Sequence, residues 1–546
     1  MTSIDRREFV RRGAIAGAAL SVPSSVLGAM HSARHTAHPA QASATAFELD
    51  EITIAQLQDD MRTGRRTARS IAEAYLARIG EIDRNGPCVN SVIETNPDAL
   101  AIADARDRER RDGGGRVRGP MHGIPVLVKD NIDTADRMKT SAGSLALATT
   151  IASRDAFIVQ RMRDAGAVII GKTNLSEWAN FRSTHSTSGW SGRGGLTRNP
   201  YALDRNPCGS SSGTGAAVSA NLATVGVGTE TDGSIVCPSN ACGLVGIKPT
   251  VGLLSRSGIV PISHTQDTPG PMARTVTDAA ILLGVMTGVD ATDQATAASR
   301  GRSRSDYRES LRDDGLRGAR IGVARNYFGF NPHVDRTLEP AIDAMRSAGA
   351  VIVDPVEFPT RGKFDDAEFE VLLYEFKADL NAYLATSNAP YKTLEELIAF
   401  NEANRDREMP WFGQEIFEMS QKKGPLTSAE YRTALQKCRD LSRAQGIDAL
   451  LAQHQLDAYV APTGSPAWMT DLLNGDHFTG GSSSPAAVSG YPSITVPAGF
   501  IHGLPVGISF MGAAYSEPTL IRLAYGFERA TGARKAPTFA ATASLS

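Results

Sequence analysis

Between Asn206 and Ser234 the chain sets serines in two tight turns, Gly209-Ser210-Ser211-Ser212-Gly213 and Thr231-Asp232-Gly233-Ser234. Turns of this kind bring hydroxyls close to bare backbone N–H groups. Attack on a carbonyl needs that pairing, a nucleophile together with donors for the oxyanion it creates. A third residue lies upstream, where Lys129 directly follows the apolar run Gly123-Ile124-Pro125-Val126-Leu127-Val128. That run reads as a short buried strand. A lysine at its end snorkels to solvent by default. Kept out of water, it would lose its charge easily and serve as a base.

The glycine-rich centre fits other chemistries poorly. It lacks the Gly-Lys-Ser/Thr ending of a phosphate loop and the Gly-x-Gly-x-x-Gly spacing of a dinucleotide site. It matches Gly-x-Ser-x-Gly with Ser211 in the middle, but a nucleophile elbow follows a buried strand. Here Asp204-Arg205-Asn206-Pro207 precedes it, and nothing singles out His264 or His454 as its histidine.

The elements that must hold these residues follow from periodicity. A small-residue helix over 214–221 and a β-branched run ending near Glu230 separate the two serine turns. Helices over 53–64 and 67–82 are divided by Gly64 as a C-cap. A helix over 99–111, a helix over 157–165 and a strand over 167–171 continue the alternation, which argues for α/β layers. Residues 183–195, rich in Gly, Ser and Thr around Trp190, read as a substrate-facing loop, and residues 251–271, after Thr250, as loop-rich. A helix over 276–286 precedes an exposed polar connection, 290–318. A strand over 319–324, a helix over 334–348 and a strand at Val351 come next. Residues 364–443 read as mainly helical, lying over one side of the core and shaping access. Strands over 456–460, 493–497 and 505–510 and a helix over 518–531 close the chain.

Composition narrows the class. A formal net charge of −2 over 546 residues lacks the basic excess of a nucleic-acid binder. The body holds no apolar run long enough to span a bilayer. Five cysteines, Cys88, Cys208, Cys237, Cys242 and Cys438, fit no zinc spacing and read as buried free thiols. The start, Asp5-Arg6-Arg7-Glu8-Phe9-Val10-Arg11 with a short apolar run over 13–22, reads as a twin-arginine export leader. Its cleavage point is open, after Ala29 or near Ala42. The expected division is leader and linker 1–45, one domain 46–535 and a tail 536–546, with export to the periplasm or beyond.

Taken together, the motifs resemble the amidase signature family over nearly all of residues 47–531. HGIPVLVKDNID at 122–133, PCGSSSGTGAA at 207–217, TETDGSIVCPSNACGLVGIKPT at 229–250 and GLPVGISFMG at 503–512 occur in the family's order. Cys208-Gly209 and Ser212-Gly213 stand where the family usually has Gly-Gly, and the catalytic positions are intact. The resemblance implies an α/β fold, a single large domain with a central mixed twisted sheet covered by helices. It implies amide hydrolysis through an acyl-enzyme with no cofactor and no metal. Carried over by motif, Ser234 is the nucleophile, Ser210 the bridging serine after a cis Gly209–Ser210 bond, and Lys129 the base. Ser211 and Gly209 support them, and the backbone N–H groups of Thr231, Asp232, Gly233 and Ser234 hold the oxyanion.

Residues 229–238 and 266–272 are most similar to the peptide amidase branch, which implies removal of the C-terminal amide of peptides with release of ammonia. An exported aryl acylamidase or aliphatic amidase is the alternative. The leader disfavours an amidotransferase subunit working on charged tRNA, and the intact positions disfavour an inactive binding relative. The expected partner is a small-molecule or peptide amide, with no nucleic acid and no stable membrane association. Oligomeric state is left open.

Overall fold

The sequence distributes its apolar runs among short strands, and the computed structural model, which describes residues 47–544, assembles most of them into one sheet. The expected leader and linker, 1–45, lie outside the described residues. In chain order the strands are β1 (Val92–Thr95), β2 (Pro125–Lys129), β3 (Val168–Thr173), β4 (Trp190–Ser191), β5 (Gly195–Leu196), β6 (Val225–Glu230) and β7 (Val245–Lys248). They continue with β8 (Thr268–Ala273), β9 (Arg320–Ala324), β10 (Val351–Val356), β11 (Ala458–Pro462), β12 (Ser493–Ile501) and β13 (Leu504–Met511). Eleven of these form a mixed sheet in the order β1-β3-β2-β6-β8-β7-β12-β13-β11-β9-β10, and β4 and β5 pair separately. The pairs β3–β2, β2–β6, β11–β9 and β9–β10 are parallel, and the centre is antiparallel. Strands β2, β3, β6, β7, β8, β11 and β13 are buried at every position. Such two-sided burial requires helices on both faces. The chain is a single large α/β domain with a mixed sheet flanked by helices.

Local signals explain the element ends. Thr53 and Gln56 form a capping box on the helix Ile54–Thr63, and Gly64 closes it in the left-handed region, at φ 75°. His502 and Gly503, both left-handed, turn β12 into β13 as a two-residue hairpin. The helix Val276–Met286 has the expected bounds, and the helical stretch beyond Phe364 begins with the 22-residue helix Asp365–Thr386.

Three expectations are corrected. The chain before Pro271 is not all loop, because Thr268–Ala273 is β8, inside the sheet. Prolines 269 and 271 argue against a central strand. They are tolerated because β7 pairs only with Met272 and Ala273 and leaves that flank of the prolines without a ladder. Gly270 is needed there, since an added Cβ would lie 2.1 Å from the Ile247 carbonyl oxygen. Residues 183–195 contain the β4–β5 pair, and Trp190, 6 % exposed, packs edge-on to Phe412 instead of facing a substrate cleft. The stretch 290–318 is partly interior, with Thr296 and Tyr307 buried and Asp293 paired to Arg256 at 2.5 Å.

Candidate active site

Two parallel neighbours deliver the basic group. The β2–β6 register sets Val128 beside Val227, so β2 ends while β6 runs on to Glu230, and the Lys129 side chain reaches forward to Thr229. The lysine is 0 % exposed, contrary to the snorkelling default. Its Nζ donates to Ser210 Oγ at 2.8 Å, to Thr229 Oγ1 at 2.8 Å and to the Thr229 carbonyl at 3.3 Å. Three acceptors match the three protons of an ammonium, yet none of them is a carboxylate. Burial therefore dominates and pushes the Lys129 pKa down to about 7, against the more distant pull of Asp267 and Glu230.

The first serine turn is held from several sides. The Gly209–Ser210 peptide is cis. A Cβ on Gly209 would fall 2.1 Å from Ser176 Oγ, so a side chain there would displace the hydroxyl that accepts from the Gly189 N–H. The Ser210 carbonyl accepts from the Ser176 N–H at 3.0 Å, and Ser210 Oγ is buried against Lys129. Ser211 begins the helix Ser212–Ser219, and its hydroxyl bonds the Thr229 carbonyl and the Thr229 N–H. It is a brace between turn and strand, and His264 binds Asp379 instead of any serine. The expected free thiols are corrected here, because Cys208 and Cys237 form a disulfide with their Cα atoms 5.9 Å apart. The helix and β6 carry the chain away and back, closing in space two cysteines whose sequence spacing signals no pairing. Cys88, Cys242 and Cys438 are free.

The second turn follows β6. Gly233 has φ 80° and would place a Cβ 3.1 Å from Ser483 Oγ, so the turn requires glycine. Thr231 Oγ1 donates to Asp267 Oδ1 at 2.6 Å, and Asp232 Oδ2 accepts from Ser484 Oγ at 2.7 Å. Glu230 Oε2 accepts the N–H groups of Ile235 and Val236, at 2.7 and 3.0 Å. The N–H groups of Thr231, Asp232, Gly233 and Ser234 find no protein acceptor among the described residues. Ser234 is 8 % exposed, and its carbonyl accepts from the Ser211 N–H at 3.2 Å. Its hydroxyl makes no hydrogen bond to Ser210 among the described residues, so Lys129 and Ser210 are joined directly while Ser234 is brought alongside through its backbone.

A 340 Å³ pocket borders this network, with Asn131, Thr229 and Thr231 in its wall. Gly258 to Ile262 form an apolar side, and the helix Asp365–Thr386 supplies Asp379, Ala382 and Tyr383 opposite. Tyr383 donates to Asp133 Oδ1 at 2.8 Å, and burial pushes the Asp133 carboxyl up to about 6. Burial works against the charge on His264, but Asp379 at 2.9 Å and Glu375 outweigh it and hold the imidazole above its ordinary pKa. The ligand atoms of His264, Glu375 and Asp379 lie within 4.8 Å of one another, close enough to share a cation. Both Glu375 oxygens are already engaged, by Tyr431 and by Ser263 and Thr265, so the group serves first to pin the helix to the 262–267 loop.

Sequence reasoning passed over Thr229, Asn131 and Asp267 as individual actors. Asn131 donates to Thr229 Oγ1 at 3.1 Å and orients the hydroxyl that Lys129 uses. Asp267 reaches Thr231 only because β8 pairs Thr268 with Glu230, and without β8 that approach had no signal in the chain.

The amidase family model matches residues 70–521. A probable amidase of Arabidopsis thaliana is 43 % identical over 507 residues, covering 91 % of this chain and 93 % of its own. The native peptide amidase of Stenotrophomonas maltophilia is 53 % identical, with a TM-score of 0.86 over 90 % of this chain and 100 % of that one. A peptide amidase solved with the competitive inhibitor chymostatin is also 53 % identical, with a TM-score of 0.87 and the same coverage. With its sheet, its motifs and its relatives in agreement, the chain belongs to the amidase signature family and is an amide-hydrolysing enzyme.

Proposed function

We propose that this enzyme removes the C-terminal carboxamide of peptides through an acyl-enzyme on Ser234. The observation that carries the reading is the 2.8 Å contact between Ser210 Oγ and a buried lysine whose pKa is lowered to about 7. Near neutral pH a large share of Lys129 is unprotonated and accepts the Ser210 proton as Ser210 takes that of Ser234. Ser234 Oγ attacks the amide carbon, and the oxyanion settles on the free N–H groups of residues 231–234. Losing one such donor costs roughly 2.7–4 kcal/mol of barrier in comparable sites. As the tetrahedral intermediate collapses, the proton returns through Ser210 to the departing nitrogen and ammonia leaves. Water then attacks the ester, giving its proton to the same relay, and the peptide acid and free Ser234 are restored.

The peptide preference draws on the 53 % identity to peptide amidases and on the size of the pocket. Ammonia needs almost no room, so a 340 Å³ space suits the acyl side, where the last residue of the peptide would lie. Export is part of the proposal, and a disulfide beside the reacting groups suits an oxidising compartment.

The test is ammonia release from a C-terminally amidated dipeptide, compared with an aryl anilide and a simple aliphatic amide. Ser234→Ala serves as the blank. Preference for the dipeptide amide is expected. Activity on the anilide alone would move the enzyme to an aryl acylamidase, and full turnover by a folded Ser234→Ala protein would remove Ser234 as nucleophile.

A further inference from the structure

The groups proposed to react sit on separate turns. Among the described residues, segments 208–211 and 231–237 are joined by two bonds, the Ser211 N–H to Ser234 carbonyl contact at 3.2 Å and the Cys208–Cys237 disulfide. Cys208 stands two residues before Ser210, and Cys237 three after Ser234. Each half-cystine is fixed to its own turn. The Cys208 N–H donates to Asn206 Oδ1 at 2.8 Å, and its carbonyl accepts from Ser212 Oγ at 2.6 Å. The Cys237 N–H donates to the Gly233 carbonyl at 2.7 Å, next to the nucleophile. Ser210 itself is otherwise anchored to Lys129 and Ser176, on the β2–β3 side, with its neighbour Ser211 braced to Thr229 of β6, whereas the turn of Ser234 is anchored to Glu230 at the end of β6. With no hydrogen bond between the two hydroxyls, their alignment comes from the backbone, and the disulfide is its one covalent tie.

We propose that the Cys208–Cys237 disulfide is a positioning element of the reaction, holding Ser210 and Ser234 in the alignment that lets a proton pass between them. The inference rests on the reading of Ser234 as nucleophile. A displacement of about 1 Å at such a relay can cost on the order of 100-fold in rate. The half-buried Cys237 leaves the bridge reachable by a small reductant.

The experiment treats the folded, oxidised enzyme with a trialkylphosphine. The phosphine supplies two electrons, the S–S bond breaks, each sulfur takes a proton from water, and the water oxygen ends on phosphorus. The protein's free thiols, counted in denaturant after removal of the phosphine, rise from the three of the oxidised protein to all five cysteines. The expected result is a fall in kcat of roughly 10- to 100-fold, with KM changed by less than about threefold, far-UV circular dichroism unchanged, and recovery on reoxidation. The Cys208→Ser/Cys237→Ser variant is expected to show the same kcat with no response to phosphine; where it fails to fold, the reduced wild type decides alone. Full kcat with five thiols overturns the proposal, as does a loss that only tracks loss of the dichroism signal. Turnover by Ser234→Ala, run alongside, would instead strike the nucleophile reading itself.

Discussion

Lys129 is the residue on which the chemistry and its cost meet. Its pKa near 7 makes the base form accumulate as pH rises through neutrality, so kcat/KM for a peptide amide is expected to climb between pH 6 and 8 with an apparent pKa near 7. A pH–rate profile checks this, and a rate flat across that range would contradict it. The same shift bears on stability. The unfolded chain keeps a proton on this lysine up to about its ordinary 10.5, the folded chain only to about 7. Between those values the unfolded state binds more protons, so stability rises with pH. Below pH 7 the whole burden is present, on the order of 5 kcal/mol at about 1.4 kcal/mol per unit. The hydrogen bonds lost with the side chain are worth about 1–3 kcal/mol. Lys129→Met is therefore expected to abolish turnover yet to melt above the wild type at pH 6, with its advantage shrinking toward pH 10 in thermal scans. The lysine itself was legible as a charge ending a buried strand. Thr229, which accepts two of its hydrogen bonds, was not, because a threonine at the end of a strand looks the same whether or not it holds a base.

At the scale of elements, the pocket is a joint product of the 258–262 loop and the helix Asp365–Thr386. Ala382 lies on the helix side with its small side chain toward the space. Ala382→Trp is expected to raise KM by about tenfold or more for amides of bulky C-terminal residues while sparing acetamide-sized substrates; a tenfold change in binding is about 1.4 kcal/mol, within reach of one filled subsite. Steady-state kinetics on a pair of amidated dipeptides ending in Gly and Phe would decide it. The helical reading of residues 364–443 made this wall foreseeable, since periodicity survives in long elements. β8 was illegible for the opposite reason. Two prolines in six residues erase the strand pattern, and only partial pairing with β7 lets them stand in the sheet.

The molecule as a whole sets these parts in a domain whose strands are mostly buried on both faces. Alternation of helix and strand made the α/β class readable, but the strand order was not, because long-range pairing leaves no local mark. Closing the 29-residue separation between Cys208 and Cys237 constrains the unfolded chain by about 3–4 kcal/mol on the loop-entropy account. A protein carrying that bridge gains from an oxidising destination. If the proposed twin-arginine export holds, Arg6→Lys/Arg7→Lys is expected to retain the enzyme in the cytoplasm with Cys208 and Cys237 reduced, and the unaltered chain is expected outside with the bridge formed. Fractionation with thiol labelling reads both at once, and equal export of the variant would defeat the twin-arginine assignment.

Three lysines, Lys129, Lys172 and Lys248, are fully enclosed, and Lys129 has its pKa near neutrality. An amine free of its proton at pH 7 is a nucleophile as well as a base. Isocyanic acid, the small electrophile that accumulates in ageing urea solutions, is a close match in size to the reacting end of an amide. Slow carbamoylation of Lys129 is thus the expected way for this enzyme to fail in long storage in dilute urea. Peptide mass mapping would find the added mass at position 129, and a ligand filling the pocket would delay it.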